Sequence, residues 1–282
     1  MTMISTAIQT GERRYQPHIN MSHDAQINQR RSAFLVGAVA VGLPTAMILV
    51  GLLLSTCFYD SISHYYYAQF WGSVFIGCLL FIGTYLLAWQ GHSDGERILA
   101  NFAAPFAWGV ALFPTAGAGC TEPTWEGRVF ADLALNDDII TATFDSPFAL
   151  LPWTSTAHFI SATILFVVLA YFSRYVFTRI VPERDIDPAT GDIRPEKLRR
   201  NRIYRACGWV MVASIAAIGS NIVVEKITRE PIPHWNDLNG TLIFEAIALY
   251  AFGYSWMVKG RFWDKRHVDQ VALTAGDPIT TP

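Results

Sequence analysis

Apolar residues in this chain come in long unbroken blocks, not at a helical or strand period with polar residues between them. Six blocks, centred on 33–55, 68–90, 98–115, 157–178, 205–224 and 239–258, are close to the length that crosses a membrane. A hydrocarbon core about 30 Å thick takes about 20 residues at about 1.5 Å of rise each. The first two, AFLVGAVAVGLPTAMILVGLLLST and QFWGSVFIGCLLFIGTYLLAWQ, carry no charge. The third, ILANFAAPFAWGVALFPT, is shorter and contains Pro105, whose missing N–H predicts a kink. The sixth contains one carboxylate, Glu245. Buried helices of a large soluble protein would show polar faces, and these blocks mostly do not. The pattern predicts an all-α integral membrane protein built as a six-helix bundle.

Composition agrees. The 282 residues are 52% hydrophobic and 16% charged, against about 25% charged in soluble domains, and mean hydropathy is +0.28. Disorder is excluded by the same numbers. The net charge of −2 gives no nucleic-acid signal, and no nucleic acid is expected as a partner. Sorted along the chain, the charge is informative. Of 21 Lys and Arg, only Arg128, Lys226 and Arg229 fall in segments on one side of the predicted spans. All the others fall on the opposite side, including Arg13, Arg14, Arg30 and Arg31 before the first span and Lys259, Arg261, Lys265 and Arg266 after the last. Cationic segments stay in the cytoplasm, so both termini are expected there and the protein in a bacterial inner membrane. The organisation expected is a polar cytoplasmic tail (1–32), a transmembrane domain (33–258) with an outer loop at 116–156 and a basic inner loop at 179–204, and a cytoplasmic tail (259–282). Within the outer loop, Phe130, Leu133, Leu135, Ile139 and Ile140 suit a short helix or hairpin. The first block is too long for the apolar core of a signal peptide.

Ionisable residues at membrane depth are costly and often functional. On the outer side they gather: Asp60, Ser61, Ser63 and His64 ahead of the second span, Ser155 and His158 opening the fourth, Asn221 and Glu225 closing the fifth, His234 and Asp237 in the last outer loop, and Glu245 about two turns into the sixth. The inner half offers no comparable set. Asp60, His64, His158, Asn221, Glu225 and Glu245 are therefore the expected lining of an outward-facing polar pocket. Plainer roles stand beside this one. Asp60 or Ser61 can cap a helix, with Tyr65, Tyr66 and Tyr67 in an interfacial aromatic belt. His158 and Glu245 can make interhelical hydrogen bonds, and Glu225 can pair with Lys226 or Arg229.

Such a set could hold zinc, through His64, His158 and His234 with a carboxylate, although no HxxxH or HExxH spacing occurs and no cofactor is expected outright. Cys57 and Cys120 fall at outer helix ends, where a disulfide is chemically permitted. Cys78 and Cys207 are mid-span packing residues. The run Arg194 to Arg205 is expected to meet anionic lipid headgroups. Nothing in the sequence addresses oligomeric state.

Several short motifs carry a likeness: Ser61-Ile62-Ser63-His64-Tyr65-Tyr66, Gly77 in VFIGCLLFIG, Gly-Val-Ala-Leu-Phe-Pro at 109–114, Ala157-His158-Phe159-Ile160-Ser161-Ala162, and the run from Arg200 to Gly208. Over about 33–258 the chain resembles a family of uncharacterised bacterial multi-pass membrane proteins of the DUF type, related to the DRAM/Sfk-like proteins. That resemblance implies an integral membrane protein and no particular reaction. More remotely, the layout is similar to the alkaline ceramidase and adiponectin-receptor superfamily of hydrolases, which use Ser, Asp and three His around zinc. It would give such parts to Ser63, Asp60, His64, His158 and His234, although this chain lacks that group's paired HxxxH and has one helix fewer.

Two functions are expected from these observations. The first is binding or sensing of a small molecule or lipid headgroup in the outer pocket. The alternative is a metal-dependent hydrolase of a lipid amide or ester, with Asp60, Ser63 and Glu245 as the catalytic candidates.

Overall fold

The computed structural model describes residues 23–54, 58–91, 93–113, 115, 133–136, 139–142 and 153–260. Six long helices make up most of them: α1 (His23–Leu54), α2 (Gln69–Ala88), α3 (Asp94–Leu112), α4 (Thr154–Tyr171), α5 (Pro195–Thr228) and α6 (Gly240–Gly260). Five are long and apolar enough to cross a membrane, which makes this a multi-pass membrane protein in architecture. The sixth, α3, has the length, but Asp94, Glu96 and Arg97 fill its first turn.

Two helices begin about ten residues earlier than the apolar blocks suggest. α1 reaches back to His23, and α5 starts at Pro195, whose fixed φ and missing N–H suit a first helical position. At 34 residues α5 is about 51 Å long, so it overhangs a core of about 30 Å. Ser93 starts α3 by accepting the Glu96 N–H at 3.3 Å. Pro105 lies inside that helix. Beyond Tyr171, α4 widens into one π-type turn, Phe172–Val176.

Each helix packs on its neighbour in sequence, and α6 returns to pack on α1, closing a ring. The closing contact brings two helix backbones together. A Cβ on Gly37 would stand 2.5 Å from the Gly253 carbonyl oxygen, and one on Gly253 would stand 2.6 Å from that of Gly37. Only glycine at both positions lets the two backbones meet this way. Leu52, Leu53, Ile98, Phe102, Ile160, Val167, Val223 and Ile227 lie on the outside, as expected where lipid is the solvent.

The core is apolar at mid-depth, with Val36, Ala40, Ala103, Ala107 and Leu169 fully buried. At the end where α2, α4 and α6 finish, it becomes aromatic. Trp256 is the hub, with ring centroids 5.1 Å from Phe177, 5.2 Å from Trp89, 5.4 Å from Tyr85 and 5.8 Å from Phe252. The indole N–H groups of Trp89 and Trp256 and the Tyr85 hydroxyl take no backbone or side-chain acceptor among the described residues. Edge-to-face stacking leaves aromatic faces as their available partners.

Of the expected outer loop, the described part is an antiparallel hairpin, β1 (Leu133–Asn136) with β2 (Ile139–Ala142), registered Leu133 opposite Ala142 and Asn136 opposite Ile139. It contains four of the five apolar residues expected to form such an element. Cys57 and Cys120, the expected disulfide, lie outside the described residues. Cys78 and Cys207 are free thiols, half-buried and buried.

Candidate functional site

The outer polar residues separate into a centre that assembles and others that do not join it. Glu245 projects from the second turn of α6 toward the turn that precedes the short 3-10 helix Ser63–Tyr67. Its Oε2 accepts the Ser61 hydroxyl at 2.7 Å and the Ile62 N–H at 2.6 Å. Its Oε1 lies 3.2 Å from the Ser63 hydroxyl. On the other side of Ser63, His158 Nε2 stands 3.0 Å from the same Oγ. His158 Nδ1 reaches the Phe113 carbonyl oxygen, just past the end of α3, at 2.6 Å.

One continuous hydrogen-bonded path therefore crosses the end of the bundle opposite the Trp256 cluster, from Glu245 on α6 through Ser63 to His158 on α4 and on to the backbone leaving α3. Ser61, Ser63 and His158 are buried, and His158 is 2% exposed. The backbone reinforces the link, because the Asp60 carbonyl accepts the Leu242 N–H at 2.9 Å in the first turn of α6. A polar group at such depth without partners would cost about 1–3 kcal/mol; here each has at least one.

His64 is half-buried beside this centre and within electrostatic reach of His158. Nearby, Tyr59 and Tyr65 stack at 4.7 Å, and burial pushes both phenols above their ordinary range. The other expected residues go elsewhere. Asp60 contributes its carbonyl, and its side chain is exposed. Asn221 is buried, but its Oδ1 accepts the Ile232 N–H at 2.9 Å and so holds down the last outer loop. Glu225, one turn further along α5, is exposed. His234 is exposed too, with Nδ1 3.2 Å from the Asp237 carboxylate.

The expected zinc set of His64, His158 and His234 does not form. Both ring nitrogens of His158 are already engaged, and His234 faces outward. Among the described residues no three His, Cys, Asp or Glu side chains gather as a metal site. The arrangement instead resembles, in chemical terms, a hydroxyl held between an imidazole and a carboxyl group, with the imidazole oriented by a backbone carbonyl.

Ser61 was read both as one of the outer polar residues and as a helix cap, the Phe113 carbonyl carries no side-chain signal at all, and the inner half was expected to offer no comparable polar set. The opposite end of the bundle holds a buried ion pair, Lys197 with Asp185 at 3.7 Å, and a second pair in which a half-buried Arg179 meets the buried Glu96 at 2.7 Å. The cationic run reads differently in light of this. Lys197, Asn201 and Tyr204 form the inward stripe of α5, while Arg199 and Arg202 lie on the exposed one. No family model matches the chain, and no curated protein or solved structure matches it either.

Proposed function

We propose that the chain is a multi-pass protein of the bacterial inner membrane, with both termini in the cytoplasm, that binds a small polar molecule or lipid headgroup at its outer-side centre. The observation that carries the binding reading is convergence. Ser61 and Ser63, His158, and Glu245 come from three stretches far apart in sequence, yet share one hydrogen-bonded path at one end of the bundle. A bundle needing only stability has cheaper ways to fill that space, since lipid-phase helices associate through small apolar residues such as Gly37 and Gly253. A carboxyl group beside an imidazole favours ligands rich in donors, namely hydroxyls or an ammonium group.

Orientation has a direct test. In a background without native cysteines, Asn236→Cys should react with a membrane-impermeant maleimide in intact cells, and Arg199→Cys only after permeabilisation. The reverse pattern would overturn the threading. On the inner side, Arg199 and Arg202 are the residues proposed to meet anionic headgroups.

Binding is tested by thermal unfolding of detergent-purified protein with glycerol, ethanolamine, choline and phosphoethanolamine. At least one should raise the midpoint progressively with concentration, as expected for a ligand that favours the folded state. The same compound should have no effect on Glu245→Gln. No shift with any of them, or equal shifts in both proteins, would sink this reading. The resemblance to bacterial DUF-type membrane proteins is compatible with this function and specifies no other.

A further inference from the structure

Counting hydrogens at the outer centre leads to a second property of the same residues. A backbone carbonyl can only accept, so the 2.6 Å contact to Phe113 puts a hydrogen on His158 Nδ1. Ser63 has one hydroxyl hydrogen, but its oxygen is within bonding distance of two acceptors, His158 Nε2 at 3.0 Å and Glu245 Oε1 at 3.2 Å. With a neutral imidazole and an ionised carboxylate, one of those contacts would hold no hydrogen. Glu245 Oε2 cannot relieve the shortage, because it is already an acceptor from Ser61 and Ile62.

Two arrangements complete the path, and each needs one more hydrogen. In the first, a Glu245 carboxylic acid donates to Ser63, and Ser63 donates to neutral His158. In the second, an imidazolium at His158 donates to Ser63, and Ser63 donates to the Glu245 carboxylate. The two differ only by a concerted shift of two hydrogens across the Ser63 oxygen. Both are electrically neutral overall, which a site in low dielectric favours.

We propose that this centre is a proton-binding site: when folded it holds one mobile proton, which Ser63 passes between Glu245 and His158. The neighbouring titratable groups are His64, on the 3-10 helix next to Ser63, and the Tyr59 and Tyr65 phenols. Asp60 turns its carboxylate outward, and α3 meets the centre through the Phe113 carbonyl. The inference concerns the site of the proposed ligand but needs no ligand, so the two can fail separately.

Proton linkage supplies the test. In the unfolded chain a glutamate titrates near 4.3 and a histidine near 6.5. Above about pH 6.5 the unfolded pair therefore holds no proton, and the folded centre holds one. Stability contributed by that proton then falls as pH rises, and the unfolding equilibrium constant grows tenfold per pH unit until the folded centre releases it. Between about 4.3 and 6.5 both states hold one proton, and this contribution is flat.

Reversible unfolding in detergent, followed from pH 5 to 9 without added ligand, should show that slope when native protein is compared with Glu245→Gln. The Gln amide donates to Ser63 without any extra proton, and above about pH 6.5, where the unfolded His158 is neutral in both proteins, the difference isolates the proton of the centre. Ser63→Ala should lose the slope and Ser63→Thr should keep it, which also covers the case in which Glu245→Gln fails to fold. His64→Gln should leave it unchanged. A difference that is flat across the range, or a slope surviving in Ser63→Ala, would overturn the proposal.

Discussion

Lys197→Ala should destabilise the protein by about 3–5 kcal/mol, the scale of breaking one partner out of a buried ion pair. The Lys197 side chain is 3% exposed, and that of Asp185, 3.7 Å away, is 1% exposed. Its ammonium also donates to the Phe177 carbonyl at 3.0 Å. Asp185 is itself built into the inner turn, accepting the Val181 N–H at 3.0 Å through its carboxylate and the Arg194 N–H at 2.9 Å through its carbonyl. Asn201 adds a bond to the Thr178 carbonyl at 3.0 Å. Removing the ammonium leaves a carboxylate buried in a site shaped for a cation. Removing both charges in Lys197→Met with Asp185→Asn should recover most of the loss, because the penalty comes mainly from the abandoned partner. Unfolding in mixed detergent would read both. A loss below about 1 kcal/mol, the range of exposed pairs, would show that the inner turn does not depend on this contact.

The second large effect is expected at Trp256. It is fully buried, at 0% exposure, and its ring is shared by α2, α4 and α6 through Tyr85, Trp89, Phe172 and Phe252. Truncating a buried Trp to Ala typically costs 3–5 kcal/mol. Part of that figure is transfer from water, which counts for less when the competing environment is lipid. The remainder is dispersion lost around the cavity, so Trp256→Ala should cost about 3 kcal/mol. Near-ultraviolet circular dichroism should lose intensity together with stability, since the variant uncouples the stacked rings. Trp256→Phe should recover more than half of the loss. Full stability in the alanine variant would mean that the aromatic cluster relaxes to fill the space.

The fold was legible because its signal is long-range and redundant. Each span repeats the apolar message over about 20 residues. The site was legible only in its expensive parts. Glu245 and His158 stood out because a charge or imidazole in an apolar run must have a reason to be there. Ser61 was ambiguous, because serine caps turns everywhere, and the Phe113 carbonyl belongs to the backbone, which sequence does not distinguish. Glu225 and His234 were misleading for the opposite reason: polar side chains at outer helix ends are also what an aqueous surface requires. Lys197 was hidden by its company. Within Glu196 to Arg205 the residues that turn inward and those that face out carry similar charges, and only the helical phase from Pro195 separates them.

The glycine contact between α1 and α6 also has a temporal meaning. During synthesis α1 is made before α6, yet the two helices pack together across more than 200 residues of chain. Until α6 arrives, the Gly37 face has no mate. The Ser61–Ser63 turn likewise lacks Glu245, and the Asp60 carbonyl lacks Leu242. Ring closure and completion of the polar centre therefore both wait for α6. A chain interrupted before α6 would present neither the sealed bundle nor the assembled polar path.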